Sequence, residues 1–109
     1  MKPVDQFMQE FFEERAQFHR KYFELFGGAL NPEMEMERLE SARSFDSFAL
    51  AVTRIDGGSH YVRHRYRLRP EGQSWIIEKI SYQCGRCRGT GKHPDTGEAC
   101  TKCKGEGWV

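Results

Sequence analysis

Eight residues near the end of the chain, Cys84-Gly85-Arg86-Cys87-Arg88-Gly89-Thr90-Gly91, share their pattern with Cys100-Thr101-Lys102-Cys103-Lys104-Gly105-Glu106-Gly107, so C-x-x-C-x-G-x-G occurs twice. No other feature constrains the fold as strongly. Two cysteines three apart can grip one ion from a tight turn, and a second such knuckle completes a closed tetrahedral site. Cys84, Cys87, Cys100 and Cys103 are the only cysteines, so one zinc ion per chain is expected, held by four thiolates with no position left for a substrate. Such an ion is structural rather than catalytic. The segment is too short for a hydrophobic core of its own, and the metal must supply much of its folding free energy. The glycines fit the same picture: past each knuckle the chain turns back close to the sulfurs, a path that favours positive φ.

Two disulfides are the competing arrangement. They belong mainly to secreted chains, and the apolar leader expected of one is missing from this sequence. A redox-active C-x-x-C is the other competitor; duplicated knuckles with duplicated glycines suit a shared ion better than a lone reactive dithiol. His93 is expected in the exposed turn His93-Pro94-Asp95-Thr96-Gly97 and not among the ligands.

The paired motif resembles the cysteine-rich zinc domain of the DnaJ-type co-chaperones and the related small zinc domain of the bacterial anti-TRAP regulators. The resemblance covers Cys84 to Trp108 and includes Gly89, Gly91, Gly105 and Gly107. It implies zinc binding and a docking role. The co-chaperones carry four copies of the motif and a J-domain; this chain has two copies and no J-domain helix before them, so stimulation of an Hsp70-type ATPase is not implied.

The 109 residues suit one modest core, here residues 1–83, with the zinc module of residues 84–109 appended. Val4, Phe7, Met8, Phe11, Phe18, Tyr22, Leu25 and Phe26 recur at helical spacing, and Pro3 and Gly27-Gly28 bound a helix from about Pro3 to Phe26. Asn31-Pro32 then predicts a second, shorter helix carrying Met34, Met36, Glu37, Leu39 and Ala42. From Phe45 the period becomes two, and Phe45 to Ile55, His60 to Arg69 and Gln73 to Tyr82 read as a three-stranded antiparallel meander. The expected fold class is therefore α+β, with N-terminal helices packed on a curved antiparallel sheet.

Two-residue turns at Gly57-Gly58 and Glu71-Gly72 would place Ala49, Ala51, Val62, His64, Tyr66, Leu68, Trp75 and Ile77 on the helix-covered face. The other face would carry Arg63, Arg65, Arg67 and Arg69 among Phe48, Leu50, Val52, Ile76, Ile80 and Tyr82. Arg65 would lie near Glu78 and Arg69 near Asp46. Either these arginines form a solvated face whose stems cover apolar neighbours, or they form a contact surface for a partner.

Long helix, shorter helix and curved sheet resemble the nuclear-transport-factor-2-like (cystatin-like) α+β cone. Enzymes of that superfamily place acids, His and Tyr inside the cone. His64 and Tyr66 could point inward, but no carboxylate is expected beside them, and a satisfied core pair is the expected reading. No catalytic residue is assigned.

The net charge of +1 argues against strong nonspecific attraction to nucleic acid, although acids dominate up to Glu40 and arginines crowd Arg54 to Arg69. No stretch approaches the roughly twenty apolar residues that cross a bilayer. A non-catalytic, cytoplasmic zinc-binding adaptor is expected, its partner another protein or a second copy of the chain. A nucleic-acid regulator is the second candidate, using the four arginines with Arg86, Arg88, Lys102 and Lys104 on phosphates and Tyr61, Tyr82 or Trp108 on bases. A small-molecule enzyme comes last.

Overall fold

The structure, a computed structural model, describes residues 1–26, 37–57 and 60–109. Helix α1, Val4–Phe26, is followed by four strands, β1 (Arg38–Ser44), β2 (Ala49–Gly57), β3 (His60–Glu71) and β4 (Ser74–Tyr82). The strands form one antiparallel sheet in chain order. Helix α1 lies on one face of it. Its first turns bury Val4 and Met8 against Ala49, Ala51, Tyr66 and Leu68, with Phe7, Phe11, Phe12, Leu39, Trp75 and Ile77 packed around them. The small alanines on β2 leave room for the helix, and fully burying a side chain such as Met8 or Leu68 contributes roughly 1.5–3 kcal/mol. Two backbone contacts fix the start of the helix over the β3–β4 turn: the Lys2 N–H donates to the Gln73 carbonyl at 2.7 Å, and Trp75 Nε1–H donates to the Lys2 carbonyl at 2.7 Å.

One part of the expected fold class is wrong. Among the described residues there is a single helix, and the segment assigned to the end of a second helix is strand β1; residues 31–36, its predicted start, lie outside the described residues. The spacing of Leu39 and Ala42 mimics a helix, but a ladder to β2 running from Arg38↔Arg54 to Ser44↔Ala49 captures the segment instead. Tertiary pairing overrides a weak local propensity here. The sheet consequently has four strands rather than three, with β1 on its edge. Phe45 begins no strand. It turns the β1–β2 hairpin, its N–H donating to the Phe48 carbonyl at 2.7 Å and its ring stacked on Phe48 at 4.6 Å.

Each of the other hairpin turns lies one residue later than expected, with Gly57 opposite His60 and Glu71 opposite Ser74. Cross-strand partners shift by two, which leaves every side chain on its expected face. A bulge then changes β4. Leu68 pairs with Ile77 and Arg67 with Lys79, so Glu78 is the extra residue. Beyond it Ile80 faces Tyr66 and Tyr82 faces His64, both on the helix side, while Lys79 and Ser81 take the positions expected for Ile80 and Tyr82 among the arginines.

Candidate metal centre

The two knuckles are built alike and lock together. Arg88 and Lys104 adopt left-handed backbone with φ 51° and 56°, and the glycines after them continue the turn. The N–H of Gly91 donates to Cys87 Sγ at 3.3 Å, and that of Gly107 to Cys103 Sγ at 3.2 Å. Each repeat also bonds to the other: Cys84 N–H donates to the Gly107 carbonyl and Cys100 N–H to the Gly91 carbonyl, both at 2.9 Å. A Cβ on Gly91 would sit 2.4 Å from the Gly105 oxygen, and one on Gly107 would sit 2.5 Å from the Gly89 oxygen. Only glycine permits this backbone-on-backbone contact. The motif's second glycine is therefore needed for the packing of repeat on repeat as well as for its own φ.

All four thiols are buried, and their sulfurs lie within 4.8 Å of one another. Cys84 Sγ is 3.8 Å from Cys100 Sγ, and Cys87 Sγ is 3.6 Å from Cys103 Sγ. A disulfide would require about 2.05 Å, and the cysteines are free. An ion held by four thiolates at about 2.3 Å has sulfur–sulfur edges of about 3.8 Å, so the cluster could hold a tetrahedral metal ion. Two of the thiols, Cys87 and Cys100, are already disposed to lose protons. Burial opposes ionisation of Cys87, but the Gly91 N–H and neighbouring thiols bring it down to about 6; backbone N–H groups, that of Cys103 foremost, lower Cys100 as well. Burial holds Cys103 up at about 11. A bound cation would displace the protons of the thiols that ligate it. His93 sits apart in the expected turn, where Gly97 N–H donates to its carbonyl at 2.9 Å and Asp95 N–H to its Nδ1 at 3.2 Å.

After the second knuckle the chain returns to the sheet. Tyr82 and Val109 exchange two backbone hydrogen bonds, at 2.7 and 2.8 Å, and Gln83 pairs with Trp108. Trp108 thereby lies on the arginine face, with the Arg65 guanidinium 5.0 Å from its ring centre. The other expected partner-binding arginines differ in their surroundings. Arg63 pairs with Glu40 at 2.9 Å and lies over the Tyr61 ring; Arg67 lies 4.0 Å over Phe48 and pairs with Glu78 at 3.1 Å, a partner expected for Arg65. The later turn shifts cross-strand partners by two and so brings Glu78 to Arg67 in place of Arg65. Arg69 stands opposite Ile76, and no ion pair joins it to Asp46 among the described residues.

One group was not anticipated. Glu37, expected on a helix, is buried between α1 and the sheet, where Arg15 donates to it at 2.7 Å, Tyr66 Oη at 2.7 Å and Thr53 Oγ1 closer still, with His64 Nδ1 at 3.4 Å. A carboxylate therefore does stand beside His64 and Tyr66. Burial pushes its acidity down, yet the hydrogen bonds from Thr53, Tyr66 and Arg15 outweigh that and hold Glu37 below the usual carboxylate value. Burial, and the bond to that carboxylate, push the Tyr66 hydroxyl well above its ordinary value. Once 38–44 is read as a strand, Glu37 falls just before its first residue, and that is the only signal that could have located it.

No helix among the described residues is long and apolar enough to cross a membrane. Compared with protein-family models, with curated proteins and with solved structures, the chain finds no match in any of the three.

Proposed function

We propose that Cys84, Cys87, Cys100 and Cys103 hold one structural zinc ion, and that the chain is a non-catalytic cytoplasmic adaptor that binds another protein through its arginine-bearing sheet face and metal loop. One observation carries the reading: the chain itself supplies four buried sulfurs within 4.8 Å of one another, with the Cys84–Cys100 and Cys87–Cys103 edges at tetrahedral length. A metal so enclosed has no open position for substrate and serves to order the surface around it. Four-sulfur sites of this shape suit zinc or iron, and the likeness of the repeats to DnaJ-type zinc domains favours zinc. Thiolates kept available for a metal suit a reducing compartment.

Against an enzyme, the carboxylate beside His64 and Tyr66 already accepts from Arg15, Thr53 and Tyr66 and is nearly inaccessible. Against a nucleic-acid regulator, Arg63 and Arg67 are neutralised by Glu40 and Glu78, whereas a phosphate track needs cations that are free to displace counterions. Native mass spectrometry of anaerobically purified protein should give one zinc per chain. Affinity capture should then recover a protein partner whose yield is unchanged by nuclease. Intact disulfides without metal would overturn the first half of the reading, and a nuclease-sensitive partner the second.

A further inference from the structure

The return of the chain after Cys103 creates a cleft of about 530 Å³ between the arginine face and the metal loop. Its apolar wall is Phe48 and Leu50 from the start of β2; Arg65, Arg67 and Lys79 bring positive charge, and Glu106 closes it from the loop. The charges are not balanced internally. Arg67 is paired with Glu78, but Arg65 and Lys79 have no carboxylate partner among the described residues, and both line the cleft. Cations farther along the strands are satisfied by contrast, Arg63 by Glu40, and Arg38 and Arg54 by Asp56.

The Arg65 guanidinium is also held in place. With Trp108 beneath it, it is pre-oriented while its N–H edge stays available to an acceptor. Three cations against Glu78 and Glu106 leave the cleft one net positive charge, which a single carboxylate neutralises. A dianionic phosphate or a polyanion would leave excess negative charge facing Glu106. The apolar wall beside the cations asks for an apolar group next to that carboxylate.

From this geometry we infer that the cleft is an acceptor site for an acidic peptide segment of a partner protein, taking one glutamate or aspartate side chain between Arg65 and Lys79 and an adjacent apolar side chain against Leu50, beside Phe48. The inference rests on the protein-binding reading and names its site and the chemistry of its partner. Charge-assisted hydrogen bonds to two cations supply specificity, and the sheet supplies a rigid floor. The bulge at Glu78 is what makes the site, since without it Lys79 and Ser81 would face the helix side.

Calorimetric titration of the full, zinc-loaded chain tests this with an acetylated, amidated hexapeptide of alternating leucine and glutamate. Its glutamine counterpart should bind about tenfold more weakly, and Arg65→Met and Lys79→Met should each weaken the glutamate peptide by about tenfold, each removing one charge-assisted contact. Lys21→Met, an exposed position on helix α1 outside the cleft, should leave binding unchanged. Zinc content and far-ultraviolet circular dichroism establish that each variant is folded, and Lys79, being exposed, provides a variant that should fold even if Arg65→Met does not. Equal binding of the two peptides, variants that bind as wild type, or acetate or oligouridylate binding as tightly as the peptide would overturn the site. A captured partner recovered equally by wild type and by the double variant would overturn the cleft while leaving the adaptor reading intact; failure to capture any nuclease-resistant partner with either protein would overturn both.

Discussion

Burying the Glu37 carboxylate commits hydrogen bonds from Arg15, Thr53 and Tyr66 to it. Glu37→Ala should cost about 3–5 kcal/mol, the usual loss when one member of a buried charged pair is removed, read as a fall in the chemical denaturation midpoint at neutral pH. The same contacts give a pH signature. Because folding lowers the pKa of Glu37, the unfolded chain binds more protons between the two values, so stability rises with pH there. This contribution is complete above about pH 4.3, the unfolded value, and is lost as pH falls through the lower folded value. The acid limb of wild type should therefore be steeper than that of Glu37→Gln; superimposable limbs would contradict the assignment. At the metal centre, Gly91→Ala drives a Cβ into the Gly105 carbonyl, whereas Gly97→Ala, at φ +72° with nothing within 4 Å, meets only the backbone penalty of about 1–2 kcal/mol. Competition with a chromophoric chelator should show zinc affinity collapsing in the first variant and largely surviving in the second.

Helix α1 was legible because its start and its stripe agree: Pro3 stands just before it, and Val4, Met8 and Phe11 repeat at its period. Among the described side chains of that stripe, Val4 and Met8 are buried while Phe18 stands 66 % exposed, so periodicity marked the helix without measuring how much of it packs. Strand β1 was illegible for a physical reason. As an edge strand with all but Leu39 exposed, it lacks the alternation that burial imposes on β2 and β3, and Leu39 and Ala42 then read as a helical step. Bulges leave even less trace, since nothing in Glu78-Lys79 marks one residue as extra; the arginine ladder was readable, but its partners were not. The strand assignment makes its own forecast. Replacing exposed Ala42 with valine should raise stability by about 0.5 kcal/mol or less, since β-branching favours an extended chain, where in a helix it would lower it. Thermal melts decide the sign. Hydrogen exchange across 38–44 should show only those amides that face β2 protected, not an unbroken helical run.

Across the whole molecule, the sulfur cage and the sheet are joined by the bonds between Tyr82 and Val109 and by Trp108 lying under Arg65. Cys100→Ser, or chelation, should melt residues 84–109 while the helix and sheet signals persist, because the core of Val4, Met8, Tyr66 and Leu68 owes nothing to the ion. Trp108 fluorescence should change on metal loss while Trp75, anchored to the Lys2 carbonyl, does not, a difference that Trp75→Phe isolates. Simultaneous loss of helix, sheet and metal signals would instead mean one cooperative unit. The mutual embrace of the two knuckles has a practical corollary. Each is closed by bonds to the other and by the Lys92–Ala99 bridge, so the span from His93 to Glu98 is a spacer whose length the sulfur geometry does not read. Doubling such a loop costs only about 0.6 kcal/mol in closure entropy. A tag or fluorophore grafted between Asp95 and Thr96 would ride on the metal without disturbing it, a fixed vantage point from which the distance to a docked peptide could be triangulated.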